Sequence, residues 1–464
     1  MTHTMQTPST LKVRRDTFGG KRGDGHLRSN RIRRPDPRRI AAGAADPTLT
    51  GVAGLVPFGG FLRDAGVDRD LYRLFTGMKP GPRVIYPMHA QLRLGIDLFV
   101  SGETRVFGLE ANAGDAAFVH LAGGIVPSID TLYRDLARFD EAECAKLEGY
   151  MAQHGLGPVR KLRGQWAHLD IDTTVTPVHG EHEGAAVGPN PKFRGRLSYH
   201  PITARVAETD TIVGGLLRPG DTALGGDDAP LIQSWVARTR KALPKRVQLC
   251  VRIDAGGDCA EIMQGIHEAG GYFLIKARLS QDLVSALMAT TVWKTVDRDA
   301  MGHPIRQIAE LAFRRGSWNN LPVRAIAVRT SERESRQLAL WEGVDLDSVH
   351  VLFSNRIDDA DAIVWDYDGR AGIEPLIAEM KGAWGIGEVS SWHFEANHAA
   401  MLLKMLSHNL VHAWVAAKHA RLRAWRMPWI RRALIRVPGR MTRSGRRRSL
   451  HLPPGCALQA RQRE

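Results

Sequence analysis

The 464-residue chain has only four cysteines, and none of them lies in a CxxC pair or in the cysteine–histidine spacing of a zinc site. This scarcity excludes a disulfide-stabilised scaffold and predicts a reduced, cytoplasmic protein. Long apolar runs are also lacking, because the longest one near the C-terminus, Ala399 to Ala417, is interrupted by Lys404, His408, Asn409 and His412. We therefore expect no membrane span and no signal peptide.

Acidic residues are scarce at both ends of the chain. Residues 1–40 contain eleven Lys and Arg against three acids, and residues 418–464 contain fourteen against one. Because the formal net charge is +15, the middle of the chain is slightly acidic and the basic charge belongs to the two ends. Clustered cations at chain ends suit a phosphate backbone, so we expect a nucleic acid rather than a membrane as the partner.

The hydrophobic pattern changes along the chain and divides it into parts. Apolar periodicity is missing at first, then follows a helical repeat, and then gives strands that alternate with helices, which predicts an α/β fold with a mixed sheet. The predicted parts are a disordered basic arm (1–40), a helical domain (41–155), an α/β domain (156–282 and 341–417), a β-rich insertion (283–340) and a basic C-terminal tail (418–464).

A candidate DNA-reading element lies in the helical domain. Ser128 and Asp130 are suitable helix caps, and a glycine-containing turn over Ala122 to Pro127 joins two predicted helices. Arg134 and Arg138 are expected on the exposed side of the second helix, as in a helix-turn-helix. Two helices that simply pack together produce the same pattern, so both interpretations stay open.

Two acids lie in the first predicted strand of the α/β domain, Trp166 to Val175. Asp170 and Asp172 point to the same face of an extended strand, and apolar residues point to the other face. Carboxylate oxygens are suitable ligands for Mg²⁺. An exposed strand face in contact with water explains the two acids equally well.

A third acid, Asp254, directly follows a strand whose residues Leu249, Val251 and Ile253 form an apolar face. Catalytic groups gather at strand ends, where the sheet fixes the side chain and the loop leaves space for substrate. Because two glycines follow, an ordinary turn cap is an equal alternative to a metal ligand.

The segment Tyr367 to Lys381 places an aromatic, a guanidinium, a carboxylate and an ammonium group at offsets of zero, three, seven and fourteen residues. At about 100° per residue, a single helix would carry all four on one face. A water-exposed helix face with scattered charges gives the same row. Pro375 predicts that a helix begins near Gly372 or Glu374, which leaves the tyrosine and the arginine in the preceding loop.

Asp172, Asp254 and Glu374 together are one acid on a strand and two acids that follow strands, so they can meet at one edge of the sheet. Such a set suits two divalent ions held about 3.5–4 Å apart, which activate a water or a 3′-hydroxyl and stabilise the leaving oxygen in phosphodiester chemistry. The basic ends of the chain supply the attraction for the polyanion.

The spacing of Tyr367, Arg370, Glu374 and Lys381 matches the Y-(2)-R-(3)-E-(6)-K signature of a large group of bacterial insertion-sequence DDE transposases. Further segments resemble the same family in the same order. They are LDIDTTV, the glycine-rich basic block from Val178 to Pro201, VRIDAGGD and the closing helix FEANHAAMLLKMLSHNL. The resemblance covers roughly residues 127–410.

The resemblance implies a ribonuclease-H-like catalytic core with a β-rich insertion, preceded by a helical DNA-binding domain. It implies a transposase that cuts the ends of its element and joins them to target DNA with two Mg²⁺ (or Mn²⁺) ions. The enzyme would act as a dimer on DNA, in the bacterial cytoplasm at the nucleoid. A DNA-binding derivative without catalysis and a ribonuclease-H-like nuclease without strand transfer are the alternatives.

The resemblance also implies roles for individual residues. The metal ligands are Asp172, Asp254 and Glu374, with Asp170 as the second choice for the first ligand. Arg370 and Lys381 are expected to contact phosphate, and Tyr367 to support the geometry at the strand ends.

Several residues are candidate DNA contacts. Lys192, Arg194 and Arg196 repeat on one side of an extended strand, where they would touch backbone phosphate or form a water-exposed rim. In related enzymes an aromatic residue of the insertion stacks on a flipped base, which makes Trp318 or Trp293 a candidate, although either could be a core residue.

Overall fold

Strands and helices are described here from a computed structural model, which covers residue 38 and residues 40–41, 43–188, 194–330, 349–389 and 391–458. The expected arm over residues 1–40 lies outside the described residues, apart from Arg38 and Ile40, and so does Lys192. Within these ranges the strands are β1 (Leu49–Thr50), β2 (Trp166–Thr173), β3 (Thr176–Pro177), β4 (Ala186–Val187), β5 (Leu197–Tyr199), β6 (Ile202–Val206), β7 (Thr211–Leu216), β8 (Gln248–Ile253), β9 (Tyr272–Lys276), β10 (Lys294–Arg298), β11 (Pro304–Leu311), β12 (Arg324–Thr330), β13 (Val349–Ser354), β14 (Gly439–Ser444) and β15 (Arg447–His451).

The α-helices of the same described ranges begin close to the N-terminus of the described chain and alternate with strands from residue 166 onward. They are α1 (Leu55–Asp64), α2 (Val67–Phe75), α3 (Met88–Ser101), α4 (Leu109–Asn112), α5 (Ala116–Leu121), α6 (Ile129–Leu136), α7 (Glu141–Val159), α8 (Ala229–Ala242), α9 (Ala260–Glu268), α10 (Gln281–Met288), α11 (Ala360–Asp368), α12 (Ile373–Gly382), α13 (Phe394–Lys418) and α14 (Met427–Ile430).

A large mixed sheet organises the second half of the chain. Its strand order is β10-β11-β12-β13-β9-β8-β2-β6-β7. The neighbours β2, β8 and β9 run parallel, and the other neighbouring pairs of this sheet are antiparallel. The predicted mixed α/β class is therefore confirmed.

Both faces of the sheet are covered, which explains why its central strands are almost continuously apolar. On one face, Leu169 and Ile171 of β2 belong to a core that includes Trp235 of α8. On the other face, Leu274 of β9 packs in a smaller core with Ile363 of α11. The buried charged side chains of β2 and β8 are Asp170 and Arg252.

The long helix α13 joins the helical region to the sheet. It is buried along most of its 25 residues and packs against α7, β7 and α3. Asn409 fixes this packing, because its amide accepts a hydrogen bond from the Ile212 N–H at 2.9 Å and donates to the carbonyl oxygens of Ile212 at 2.7 Å and Met151 at 3.2 Å. One residue of α13 thereby connects the edge strand β7 with α7.

Glycines account for two differences between the expected and observed helices. The apolar pattern over Phe61 to Phe75 predicts one helix, but Gly66 has a φ of 79° and separates α1 from α2. The 19-residue helix α7 is not predicted by propensity, since it contains Gly149, Gly155 and Pro158. Its packing against β7 and α13 overrides that propensity.

The two segments predicted as an insertion and as a tail are both integrated into the fold. Residues 283–340 contribute β10, β11 and β12 to the large sheet, since β12 pairs with β13. Residues 418–464 contain α14 and the hairpin β14–β15, which pairs with β1, and Ile430 and Leu434 are fully buried. The division of the chain into domains stays a prediction.

Among the described residues, no helix has both the length and the apolar character needed to cross a membrane.

We expect Gly155→Ala to lower the free energy of unfolding by about 2–3 kcal/mol, because its new Cβ would lie 2.1 Å from the Ile212 carbonyl oxygen. The matched change Gly149→Ala, on the same helix with nothing within 4 Å, should raise it by up to about 1 kcal/mol. Urea unfolding at equilibrium measures both values. Equal effects of the two substitutions would contradict the close approach of α7 to β7.

Candidate active site

Parallel pairing of β2 with β8 brings two acids to the same edge of the sheet. Asp170 lies opposite Arg252 in the register, so two residues further along Asp172 is level with Asp254. Asp254 begins a short 3₁₀ turn, and its Oδ1 accepts a hydrogen bond from the Gly256 N–H at 2.9 Å. Asp254 therefore caps a turn, as one interpretation of the sequence expected, and it also lies at a strand end, as the other expected.

The third acid comes from the start of α12. A 3₁₀ turn over Gly369–Gly372 separates α11 from α12, and Glu374 is the second residue of α12 and exposed. Pro375 occupies the third position, where a helix needs no N–H donor. The expected helix start is therefore correct, but Tyr367 lies in the last turn of α11 and Arg370 in the 3₁₀ turn, so neither is in an irregular loop.

The three carboxyl groups interact electrostatically. The pKa of Asp172 is raised to about 6, mainly by burial; the guanidinium of Arg370 opposes this rise, and the negative charges of Asp254 and Glu374 add to it. The Asp172 side chain is only 16% exposed, so its charge is poorly solvated. This edge of the sheet therefore concentrates negative charge that a bound cation would neutralise.

Asp170, the alternative first ligand, is fully buried in the centre of the sheet. Its Oδ1 accepts from Arg252 Nε at 2.6 Å, and its Oδ2 accepts from Arg252 at 3.0 Å and from Arg205 at 3.3 Å. Because both oxygens are bound by guanidinium groups, Asp170 would have to break these ion pairs to hold a metal. The geometry favours Asp172.

The remaining signature residues surround the same edge. The Tyr367 hydroxyl lies 3.5 Å from the Ile253 carbonyl oxygen, and burial raises its pKa to about 12, so it stays protonated as a donor. Arg370 lies 3.1 Å from Asp172 Oδ1, and Lys381 Nζ donates to the Val175 carbonyl oxygen at 3.1 Å. Tyr367 and Arg370 contact the ends of β8 and β2, and Lys381 contacts the segment just after β2.

The expected DNA contacts lie on the surface at two separate places. Arg194 and Arg196 are exposed just before β5. Arg134 is exposed on α6, where its Nε donates to the Asp130 carbonyl oxygen. Arg138 is exposed just after the end of α6 and pairs with Asp135 at 3.3 Å. The helix–turn–helix segment exists as α5 and α6, with Ser128 as the N-cap of α6.

The tryptophan candidate for base stacking is corrected by the structure. Trp318 is 1% exposed and packs edge-on against Phe353 and Phe313 inside the core, so neither ring face is available to a base. Trp293 is partly buried, and the Arg329 guanidinium covers its ring at 4.2 Å. The aromatic spacing of the sequence does not distinguish core residues from exposed ones.

Two functional features are not predicted from the sequence. One is the pairing of Arg205 and Arg252 with Asp170. The sequence signal for this pairing is Arg252, the residue of β8 that lies opposite Asp170 of β2. The other is an exposed arginine-rich hairpin, β14–β15, which the alternation within the basic tail could have indicated. Its exposed arginines are Arg440, Arg443, Arg446, Arg447 and Arg448.

A family model described as transposase DDE domain group 1 matches residues 38–464. The chain belongs to this family. No protein in the curated set matches it. Among solved structures, the cryo-EM structure of a piggyBac transposase synaptic complex with hairpin DNA is similar, with 14% sequence identity and a TM-score of 0.41 over 79% of this chain and 76% of that chain.

Membership of the DDE transposase family gives the acidic edge a chemical context. The family supports a DNA transposase, and DDE transposases generally use divalent metal ions. The residues present fit such an ion, since Asp172 is mostly buried, and burial together with the charges of two further carboxylates raises its pKa. Oxygen-only donors of this kind suit Mg²⁺ or Mn²⁺.

Asp172→Asn should stabilise the metal-free transposase at neutral pH. The folded pKa of about 6 lies above the unfolded value of 3.8, so protonation favours the fold below about pH 4 and that contribution is lost as the pH rises through 6. The asparagine avoids a cost on the order of 2–3 kcal/mol. Urea unfolding in EDTA should show the variant's advantage growing as the pH rises from about 4 to about 6 and staying constant above that. The same advantage at about pH 4 and about pH 7, or the same growth in exposed Asp282→Asn, would contradict it.

Proposed function

We propose that this protein is a bacterial insertion-sequence transposase of the Y-(2)-R-(3)-E-(6)-K signature group, which cuts the ends of its element and joins them to target DNA. The observation that carries the proposal is that the charges of Asp254 and Glu374 act on Asp172 at one edge of the sheet and contribute to its raised pKa. The antiparallel strands β7, β6 and β2 followed by the parallel strands β8 and β9 are in keeping with a ribonuclease-H-like core.

The three carboxylates are the proposed ligands of two Mg²⁺ or Mn²⁺ ions. Such a pair would supply Lewis-acid activation of a water or a 3′-hydroxyl and stabilisation of the leaving oxygen. Asp172 and Asp254 come from adjacent strands and so have a fixed separation, while Glu374 is exposed at a helix start and is accessible to DNA. No covalent protein intermediate is needed.

Arg370 and Tyr367 act on the metal ligands in this proposal. Arg370 lies 3.1 Å from Asp172 and compensates its charge when no cation is bound. Once a cation takes over that compensation, the guanidinium can turn to a phosphate oxygen, which it binds in a planar, two-pronged geometry. The contact of Tyr367 with the Ile253 carbonyl oxygen supports the end of β8 just before Asp254.

DNA is the proposed partner of the exposed basic surfaces. Arg194 and Arg196 stay candidate contacts, as do Arg134 on α6 and Arg138 just after it. The hairpin β14–β15 adds a compact group of exposed arginines, whose guanidinium groups suit backbone phosphates. We also propose that two copies pair the two element ends, in the cytoplasm at the nucleoid.

Substitution of the three acids tests the enzymatic proposal. Asp172→Asn, Asp254→Asn and Glu374→Gln should each reduce Mg²⁺-dependent nicking of a DNA that carries the element's terminal repeats by at least about a hundredfold, because each removes a metal-ligand charge. The exposed Asp282→Asn should leave nicking unchanged. Gel assays on end-labelled DNA measure the rates.

The same assay distinguishes the alternatives. DNA binding without cleavage in Mg²⁺ or Mn²⁺ would identify a catalytically inactive derivative and refute the enzyme. Cleavage without products joined to a target plasmid would identify a nuclease that lacks strand transfer. If Asp170→Asn yielded a folded protein without cleavage while Asp172→Asn remained active, the assignment of the first ligand would be wrong.

Removing the hairpin arginines should weaken DNA binding and its salt dependence. The triple variant Arg446→Ala, Arg447→Ala, Arg448→Ala should lower the magnitude of the slope of log K against log salt by about one for each phosphate that the variant no longer neutralises. The control changes Lys245→Ala and Arg246→Ala lie just before β8, at the opposite end of the strand from Asp254. Equal slopes for both variants would exclude the hairpin from the DNA interface.

A further inference from the structure

Two histidines and one glutamate converge between α12 and α13, outside the acidic edge. The Nδ1 atom of His408 lies 3.7 Å from Glu379 Oε1, and the Nε2 atom of His412 lies 3.9 Å from the same oxygen. The three ligand atoms all lie within 4.8 Å of one another. The side chains of Glu379, His408 and His412 are 3%, 0% and 12% exposed, so this cluster is enclosed.

The cluster is not satisfied by hydrogen bonds. Four atoms are buried and have no hydrogen-bond partner: both carboxylate oxygens of Glu379, His408 Nδ1 and His412 Nε2. The distances of 3.7 and 3.9 Å from the two imidazole nitrogens to Glu379 Oε1 are too long for hydrogen bonds. Buried polar atoms without partners cost about 1–3 kcal/mol each, and charged ones cost more. Four such atoms that face one small space indicate a missing group at their centre.

The hydrogen bond on the far side of His408 fixes what that missing group must be. His408 Nε2 lies 3.1 Å from the carbonyl oxygen of Asp210, which can only accept, so Nε2 carries the hydrogen. A neutral His408 therefore directs the lone pair of Nδ1 at the Glu379 carboxylate. Two electron-rich atoms then face each other, an arrangement that a cation between them stabilises. A backbone acceptor of this kind is the usual outer partner of a metal-binding histidine.

Neighbouring charges do not fill this space. The Arg426 guanidinium lies 3.7 Å from Glu379 Oε2, on the other carboxylate oxygen, and is 41% exposed. It also pairs with Asp210 at 3.5 Å. Arg431 is buried nearby, but it donates its hydrogen bonds to the carbonyl oxygens of Phe99, Val100 and Ala383. The side of Glu379 that faces the two imidazoles is therefore left to another cation.

We infer that Glu379, His408 and His412 form a structural Zn²⁺ site that binds α12 to α13. His408 and His412 are four residues apart on one helix, so they share a face and can ligate one ion. Zinc bonds of about 2.0–2.2 Å require ligand atoms about 3.3 Å apart, which small rotations of these side chains provide. Two imidazoles select Zn²⁺ over Mg²⁺. The fourth ligand is a water or the second oxygen of Glu379.

Metal analysis of the full-length chain, purified without a histidine tag and without chelator, tests the site. Mass spectrometry of the wild type should find about one zinc per chain, and His408→Gln, His412→Gln and Glu379→Gln should each lose it. The exposed His303→Gln keeps the zinc as the matched control. Co²⁺ substitution should give the visible absorption of a four-coordinate ion in the wild type but not in His412→Gln, which is the least buried ligand.

The thermal stability of the wild type provides a measurement that does not depend on the variants. After zinc is removed, added Zn²⁺ should raise the Tm, whereas added Mg²⁺ at the same concentration should not reproduce this shift. The proposal would be overturned if the wild type contained no zinc, gave no Co²⁺ absorption and showed no Zn²⁺-dependent shift in Tm. A protonated imidazole would then be the cation beside Glu379. Zinc that persists in the three variants and disappears in His398→Gln would move the ion to Cys144, Glu395 and His398, and would also overturn it.

Discussion

The ion pairs of Asp170 at the centre of the sheet are the constraint on which the site depends. Asp170 lies directly opposite Arg205 on β6 and Arg252 on β8, and both guanidinium groups reach its oxygens. A buried ion pair contributes little net stability, but removal of one partner leaves a buried charge and is costly. A shift of β2 by one residue would separate all three charges and turn the apolar side chains to the wrong face. The register is therefore strongly specified.

This register determines where the acidic edge forms. Because β2 and β8 are parallel and aligned at Asp170 and Arg252, their next residues of the same face are Asp172 and Asp254. One acid is thus neutralised by arginines in the sheet, and two acids extend beyond the arginines to the end of the strands. Burial, together with the charges of Asp254 and Glu374, raises the pKa of Asp172 against the opposing charge of Arg370.

The sequence predicted the mixed α/β class because periodicity and turn residues report local burial directly. It also predicted the helix start at Glu374, since the restriction on Pro375 is local. It could not choose between Asp170 and Asp172, which have the same strand periodicity and differ only in their neighbours on β6 and β8. The burial of Trp318 could not be predicted for the same reason, because it depends on contacts with residues distant in the chain.

Helix α12 connects the acidic edge with the core of the protein. Glu374 and Glu379 are five residues apart, so they point to nearly opposite sides of the helix, and the first is exposed while the second is buried. Lys381, seven residues after Glu374, returns to the exposed side and contacts the segment that follows β2. The position of Glu374 relative to the strand acids therefore depends on how firmly the Glu379 side of α12 is held on α13. Since Asn409 on α13 also holds β7, the same long helix positions the sheet and the third carboxylate.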